Sequence, residues 1–281
     1  MANTRSQTDG NTPLLRRTRF FPLWQRTSRI QIQDYRQKSA LVISRQHPYK
    51  ETIFLTKRKD REGVQRDQEK EEARLIRWCL STVAGNALEV GCGNGLLTAD
   101  LAQIADNLVA VDPSVEELRS ARRRVEIPVK FVVAFAESLP IAANSIDTVA
   151  FTRSLHHQEP HKALSEARRV LKEGGQILIL EPVADSLFER LFAVFDDESW
   201  KFKLAEKAID RSGLKVFRSG SVRIWWVFED FTEMAFYMFD YFGLELNREK
   251  ENSMAQILGD RRGLAPLPIE AITRFWVLCE R

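Results

Sequence analysis

The stretch Leu88-Glu89-Val90-Gly91-Cys92-Gly93-Asn94-Gly95 decides how this chain is read. It begins as an apolar strand and ends in closely spaced glycines, after which Leu97, Leu101 and Ile104 recur at helical spacing. A glycine-rich turn between a buried strand and a helix lies where an open α/β sheet places its ligand crevice. Glycine lets the backbone approach a nucleotide-like ligand, and the N–H groups at the start of the helix stand beside it. The spacing is G-x-G-x-G, with Leu96 where a dinucleotide fingerprint carries its third glycine, and this counts against an NAD-dependent oxidoreductase. Asp112 closes the next predicted strand 17 residues after Gly95, a position from which a carboxylate accepts both hydroxyls of a ribose.

Outward from this loop, strands and helices alternate. Ala87–Val90, Leu108–Val111, Val129–Val133, Thr148–Phe151 and Gln176–Leu180 read as apolar strands. Between them, Ser114–Val125 reads as a helix that follows Pro113, with Ser114-Val115-Glu116-Glu117 as its capping chemistry. A later helix carries Leu164, Ala167, Val170 and Leu171 and is expected to stop at Gly174-Gly175. Upstream, Leu75, Ile76, Cys79 and Leu80 mark a helix that ends before Gly85-Asn86. The pattern predicts an α/β protein with a doubly wound, mostly parallel sheet covered on both faces. Asp147, just ahead of a strand, is assigned to turn structure. After Glu181 a long helix is expected over about Ser186 to Ser212, then a hairpin or long bent strand over Lys215–Phe228 that turns at Ser219-Gly220. Residues 229–265 read as helical and rich in aromatic residues, and Ile272–Cys279 as a terminal strand.

The chain has 281 residues, 44% hydrophobic and 29% charged, which excludes collagen-like, wholly disordered and disulfide-scaffold classes. Its net charge of +3 conceals a division. Residues 1–66 hold 15 basic and 5 acidic residues, and residues 67–281 hold 27 and 34, so a basic extension precedes a mildly acidic body. The expected organisation is therefore a partly disordered extension over 1–66 and a folded domain over 67–281 with a helical insertion at about 229–270. The extension has no apolar segment after its charges and so is not a secretory signal. Its Arg-rich, acid-poor composition is that of a transit peptide, although Pro13 and Pro22 spoil a clean helix. Within it, Phe20–Trp24 is an apolar island, Leu41–Ile43 and Thr52–Leu55 are strand-like, and Lys57–Arg61 reads as a solvated connector or a contact for an anionic surface. No apolar run is long enough to span a bilayer. Cys79, Cys92 and Cys279 are far apart and no Cys/His cluster has zinc-ligand spacing, so no metal is expected. The expected location is the cytoplasm, or an organellar matrix if the extension is a transit peptide.

The runs "ALEVGCGNG" (87–95), "AVDPS" (110–114), "AESLP" (136–140), "SIDTVAFTRSLHH" (145–157) and "EARRVLKEGGQILILEP" (166–182) together resemble the class I S-adenosylmethionine-dependent methyltransferases. The similarity is to the broad group related to the ubiquinone/menaquinone C-methyltransferases; it covers about residues 70–182 and, weakly, 213–228 and 272–281. It implies a Rossmann-like fold and S-adenosylmethionine as cofactor. Glu89, Gly91, Cys92, Gly93, Asn94 and Gly95 would surround the methionine portion, and Asp112, followed by Pro113, would hold the ribose. Phe135, Ala136 and Glu137 would lie against the adenine, with Arg153 near the cofactor. Phe135 departs from the family, which usually carries a carboxylate or amide there to accept from the adenine amino group. It either packs on the purine or belongs to the core of its strand.

Methyl transfer from a sulfonium is an in-line displacement, so alignment and exclusion of water matter most, and a base is needed only where the nucleophile loses a proton. His156 and His157 follow the fourth strand and are the candidates for such a base or for orienting an acceptor; the alternative is that they cap the next helix or bond to their own loop. His161 is expected to be exposed. Trp225, Trp226, Phe228, Phe231, Phe236, Tyr237, Phe239, Tyr241 and Phe242 either line a pocket for a small-molecule or lipid-like acceptor or pack the core of a capping subdomain. Two other classes remain open. One is a non-catalytic binding or assembly protein on the same fold. The other is RNA methylation with the basic extension as tether, although no (D/N)PP(Y/F)-type tetrapeptide or Pro-Cys nucleophile is present.

Overall fold

The computed structural model describes residues 64–80 and 85–280. The expectations placed on residues 1–63, including the island at Phe20–Trp24 and contacts to RNA or an anionic surface, lie outside the described residues.

In chain order the elements are β1 (Gln65–Arg66), α1 (Glu71–Leu80), β2 (Asn86–Val90), α2 (Thr98–Ala102), β3 (Asn107–Asp112), α3 (Val115–Arg124), β4 (Lys130–Val133), β5 (Ile146–Thr152), α4 (Pro160–Val170), β6 (Leu171–Pro182), α5 (Leu187–Phe192), α6 (Ser199–Arg211), β7 (Lys215–Phe228), α7 (Phe231–Tyr241), α8 (Arg248–Leu258) and β8 (Leu267–Cys279). One sheet runs in the order β1-β7-β8-β6-β5-β2-β3-β4. The strands β2 to β6 are parallel, while β8 runs against both β6 and β7. The doubly wound, mostly parallel sheet expected from the sequence is therefore present. The order reverses at β2, whose neighbours are β3 on one side and β5 on the other, so the carboxyl ends of β2 and β5 form the topological switch point.

Alternation along each strand builds two cores. On one face Val109, Val111, Val149, Phe151, Ile177 and Ile179 pack against Ala163, Leu164 and Ala167 of α4 and Ala205, Ala208 and Ile209 of α6. On the other, Leu108, Ala150, Leu178 and Leu180 meet Ile76, Cys79 and Leu80 of α1 and Leu101 of α2. Both faces are apolar because helices cover both, which is why these strands read as continuous apolar runs. Ser114 caps α3 as its sequence predicts, its hydroxyl accepting from Glu117 N–H at 3.2 Å. Asp147 ties strand starts together, accepting from Asn86 N–H at 2.8 Å and from Lys172 Nζ at 2.8 and 2.9 Å.

The C-terminal third differs from expectation in four places. The helix expected to reach Gly174-Gly175 stops at Val170, because Leu171 already pairs with Ile146 in the sheet. The single helix over 186–212 is two, α5 and α6. The Asp197 carboxylate accepts from Ser199 N–H at 3.0 Å, a local turn that competes with helix continuation. Of the two alternatives for Lys215–Phe228 the long strand holds and the hairpin does not: β7 pairs with β8 along its length with one register shift between Val216 and Arg218, and Ser219-Gly220 is no turn, a Cβ on Gly220 meeting the Phe275 ring at 2.8 Å. The terminal strand starts at Leu267 rather than Ile272. The upper ends of β7 and β8, with α5, α7 and α8, enclose a separate aromatic core that includes Phe188, Phe228, Met234, Phe239 and Met254. No described helix is long and apolar enough to cross a membrane.

Candidate functional site

The glycine loop leaves β2 at the switch point. Gly91 and Cys92 both donate their N–H to Val111 O, at 2.8 and 3.0 Å, so the loop is laced to the end of β3. The Asp112 side chain completes this connection. One carboxylate oxygen accepts from Gly93 N–H at 2.9 Å and the other from Ser114 N–H at 2.8 Å. Each oxygen keeps further lone-pair capacity for a ligand hydroxyl. Burial pushes this carboxyl upward, and the two amide donors work against that. Pro113 is exposed beside it, and Asn94, also exposed, accepts from Arg124 at 3.0 Å.

Glu89 is wholly buried at the centre of the site. Its two oxygens accept from Thr98 Oγ1 and Thr152 Oγ1, each at 2.6 Å, and burial pushes its carboxyl up to about 7 despite these donors. Cys92 turns its thiol into a small apolar cluster with Ala110 and Leu118, where burial keeps it protonated.

The opposite wall comes from the segment after β5. Ser154 Oγ donates to Val90 O at 2.5 Å, and a Cβ on Gly91 would lie 2.6 Å from Ser154 Cβ and 2.9 Å from Gln158 Nε2. The loop that carries His156 and His157 is thus packed directly on the glycine loop. Phe135 stands just beyond β4 and is 66% exposed, which removes the alternative that it is a core strand residue. Ala136 next to it is buried, and Glu137 accepts from Glu159 N–H at 2.8 Å. These three residues sit beside Asp112, whose backbone oxygen accepts from Ala134 N–H at 3.2 Å.

Arg153 has φ +62° and turns its guanidinium into an interior charge network. It pairs with Glu72 of α1 at 3.6 Å and Glu189 of α5 at 3.4 Å; Glu72 also pairs with Arg66 and accepts from Thr273 Oγ1 at 2.8 Å. Burial alone would raise the Glu72 carboxyl, but Arg66 and Arg153 together hold it below its usual range. Arg153 therefore ties α1, α5 and the end of β5 together, and its observed ion pairs are with those elements, not with the loop.

His156 is buried, with Nδ1 against the Glu181 carboxyl and its ring edge-on to Phe202 at 4.8 Å. The second Glu181 oxygen accepts from Leu155 N–H at 2.9 Å. Burial pushes Glu181 up to about 8 and His156 down to about 3. The His157 side chain is 54% exposed. Glu198, at the start of α6, faces both rings. Sequence inspection missed Glu181, Glu198, Thr98 and Thr152. A carboxylate inside the apolar run Ile177–Leu180-Glu181 was the available signal for Glu181, whereas nothing local marks Glu198.

The aromatic group divides. Trp226 stacks on Phe188 at 4.5 Å, Phe242 stacks on Phe195 at 4.8 Å, and Phe228, Tyr237, Phe239 and Tyr241 join the same cluster. Trp225 and Phe236 are each 43% exposed and stand outside it. Within the cluster Trp226 Nε1 is buried without a hydrogen-bond partner among the described residues.

Residues 88–179 match the methyltransferase domain family. Over 102 residues the chain is 35% identical to an uncharacterized methyltransferase of Mycobacterium tuberculosis, covering 36% of this chain and 42% of that protein. Over 156 residues it is 29% identical to the demethylmenaquinone methyltransferase of Renibacterium salmoninarum, covering 54% of this chain and 65% of that one. The fold matches that of a candidate methyltransferase from Bacillus halodurans with a TM-score of 0.56 at 19% identity, over 74% of this chain and 97% of that structure. The chain thus spans less than two thirds of the length of these curated relatives. Over residues 88–179 the chain is similar to methyltransferase domains, and the family resemblance carried by the glycine loop and the motifs after it is borne out.

Proposed function

We propose that this methyltransferase domain moves a methyl group from S-adenosylmethionine to a small-molecule or lipid-like acceptor by in-line displacement. The carrying observation is the cradle formed by the glycine loop and Asp112. A Cβ added to Gly93 would meet nothing closer than Glu117 Oε2 at 3.8 Å, so this glycine is not required by protein packing and leaves room for a ligand against the backbone. Asp112 is fixed beside that room by two amide donors and retains acceptor capacity. The donor set therefore fits a nucleoside bearing ribose hydroxyls.

In this reading Gly91, Gly93, Asn94 and Gly95, with the backbone of Cys92 and the buried Glu89 behind them, hold the methionine portion. Asp112 and Pro113 take the ribose, and Phe135, Ala136 and Glu137 take the adenine, with the exposed Phe135 ring against the purine face. The cofactor supplies an activated methyl group, so the chain's own task is alignment and exclusion of water. Arg153 positions rather than binds, because it locks α1 and α5 over the end of β5. Of the two histidines, His156 is closed in by Glu181 and Phe202, and contact with an acceptor falls to the exposed His157. The aromatic cluster between β7 and α5 packs as a core, so an apolar acceptor would meet its margin, where Trp225 and Phe236 are exposed.

Calorimetry with S-adenosylmethionine tests the cofactor, and transfer of labelled methyl groups into fractionated extract tests the acceptor. Absence of binding at high micromolar concentration removes the enzyme reading; label entering RNA or protein rather than small molecules or lipids removes the acceptor class.

A further inference from the structure

We propose that His156, His157 and Glu198 form a binding site for a divalent transition-metal ion, Zn2+ being the ion that two imidazoles and one carboxylate suit best. The donor atoms of the three side chains lie within 4.8 Å of one another. His156 Nε2 is 3.8 Å from one Glu198 oxygen and His157 Nδ1 is 3.7 Å from the other. These separations are too long for hydrogen bonds. These two are within a few tenths of an ångström of the spacing of about 3.4 Å between two ligands of a tetrahedral ion bound at about 2.1 Å, and the remaining pair closes by side-chain rotation of the exposed His157.

The surroundings are those of a built site. Glu181, itself buried, holds His156 Nδ1, and its other oxygen is held by Leu155 N–H. A carboxylate on one imidazole nitrogen fixes the ring so that the other nitrogen is presented to a metal, the arrangement usual behind ligating histidines. Phe202 packs edge-on against the same ring. Beside the cluster a crevice lined by Glu189, Asp196, Asp197, Glu198 and Phe202 gives access and a negative field. One cation already competes, since Lys201 Nζ pairs with a Glu198 oxygen at 2.6 Å. The other Glu198 oxygen faces His156.

The site shares His157 with the proposed acceptor contact but is tested without a methyl donor, so its failure leaves the proposed activity standing. The full chain, stripped with a chelator, is titrated with ZnCl2 by calorimetry, and Co2+ serves as an optical probe of the ligands. The expected result is one ion per chain and a Co2+ spectrum without thiolate charge transfer. His157→Ala and Glu198→Gln are each expected to weaken binding at least tenfold. His157 is the exposed member of the cluster, and unchanged melting of the metal-free variants shows that the fold survives. If His157→Ala melts low, His157→Gln replaces it. Lys201→Met removes the competing cation and is expected to tighten binding. No binding at about 100 µM Zn2+ overturns the proposal, as does zinc affinity unchanged in both ligand variants, which places the ion elsewhere in the chain.

Discussion

Gly93 and Gly95 are two residues apart in one loop, and the structure gives them different work, so replacing each by alanine separates ligand approach from packing. Both have positive φ, +51° and +80° respectively, and an alanine in that region costs about 1–2 kcal/mol. At Gly95 a Cβ would also lie 3.0 Å from Ala121 Cβ, 3.1 Å from Ala121 Cα and 3.1 Å from Val125 Cγ2. Backbone of α3 is among those neighbours and cannot step aside cheaply, so overpacking adds about 1–3 kcal/mol. At Gly93 the nearest atom is 3.8 Å away and no such addition arises. Gly95→Ala should therefore lose about 2–5 kcal/mol and Gly93→Ala only about 1–2 kcal/mol. For a folded body of this size each kcal/mol moves Tm by about 2–4 °C. Affinity should rank the other way: Gly93→Ala places a methyl group where the proposed cofactor would approach and is expected to weaken S-adenosylmethionine binding at least tenfold while the fold stays intact. Urea unfolding and calorimetry on the same preparations measure both quantities. Equal stability losses would refute the packing assignment of Gly95, and wild-type affinity in Gly93→Ala would refute the loop's contact with ligand.

Asp112→Ala removes the acceptor of two backbone amides and the proposed ribose contact, and S-adenosylmethionine affinity is expected to fall at least tenfold; undiminished affinity by calorimetry contradicts the ribose role. Phe135→Asp changes a side chain that is 66% exposed, so stability should stay within about 0.5 kcal/mol while cofactor affinity rises through an acceptor for the adenine amino group. A large drop in Tm, or no gain in affinity, argues that Phe135 does not face the purine. Glu89 gives a pH dependence whose sign follows from burial. Its carboxyl titrates at about 7 in the fold against 4.5 for the ordinary group, so the native state holds a proton that the unfolded chain releases first. Its contribution is fully present below about pH 4.5 and is lost as pH rises through 7, up to about 3 kcal/mol, with Glu181 and Glu189 sloping the same way. Glu89→Gln should flatten the fall in unfolding free energy between pH 5 and pH 8; an unchanged slope rules out Glu89 as a contributor.

Much of the sheet was legible because its causes are local. Alternating apolar strands and amphipathic helices announce themselves through period, and the Ser114–Glu117 cap needs only four residues to recognise. The glycine loop and Asp112 were readable for the same reason, since strand, loop, helix, strand and acid follow in sequence. The C-terminal third was harder. Ser219-Gly220 has the composition of a turn, but Phe275, distant in sequence, makes the glycine a packing requirement inside a continuous strand. The break between α5 and α6 spans residues 193–198 and includes a side-chain-to-backbone bond at Asp197 that helical periodicity does not register.

For the site, the sequence by itself located the glycine loop and Asp112 of the proposed cradle, because their positions are set by one contiguous loop and the strand next to it. It also brought His156 and His157 to the correct loop. It could not choose among their partners. Glu181 ends β6, Glu198 opens α6, and Arg153 reaches Glu72 on α1 and Glu189 on α5, all brought together by strand order and helix packing. Tertiary structure alone decided that Arg153 turns inward to a charge network, that Phe135 stands exposed beside Asp112, and that two neighbouring histidines face one carboxylate. The physical reason is range: hydrogen-bonded turns and periodic faces act over a few residues, whereas desolvated charges take their partners from whichever elements the sheet order sets beside them.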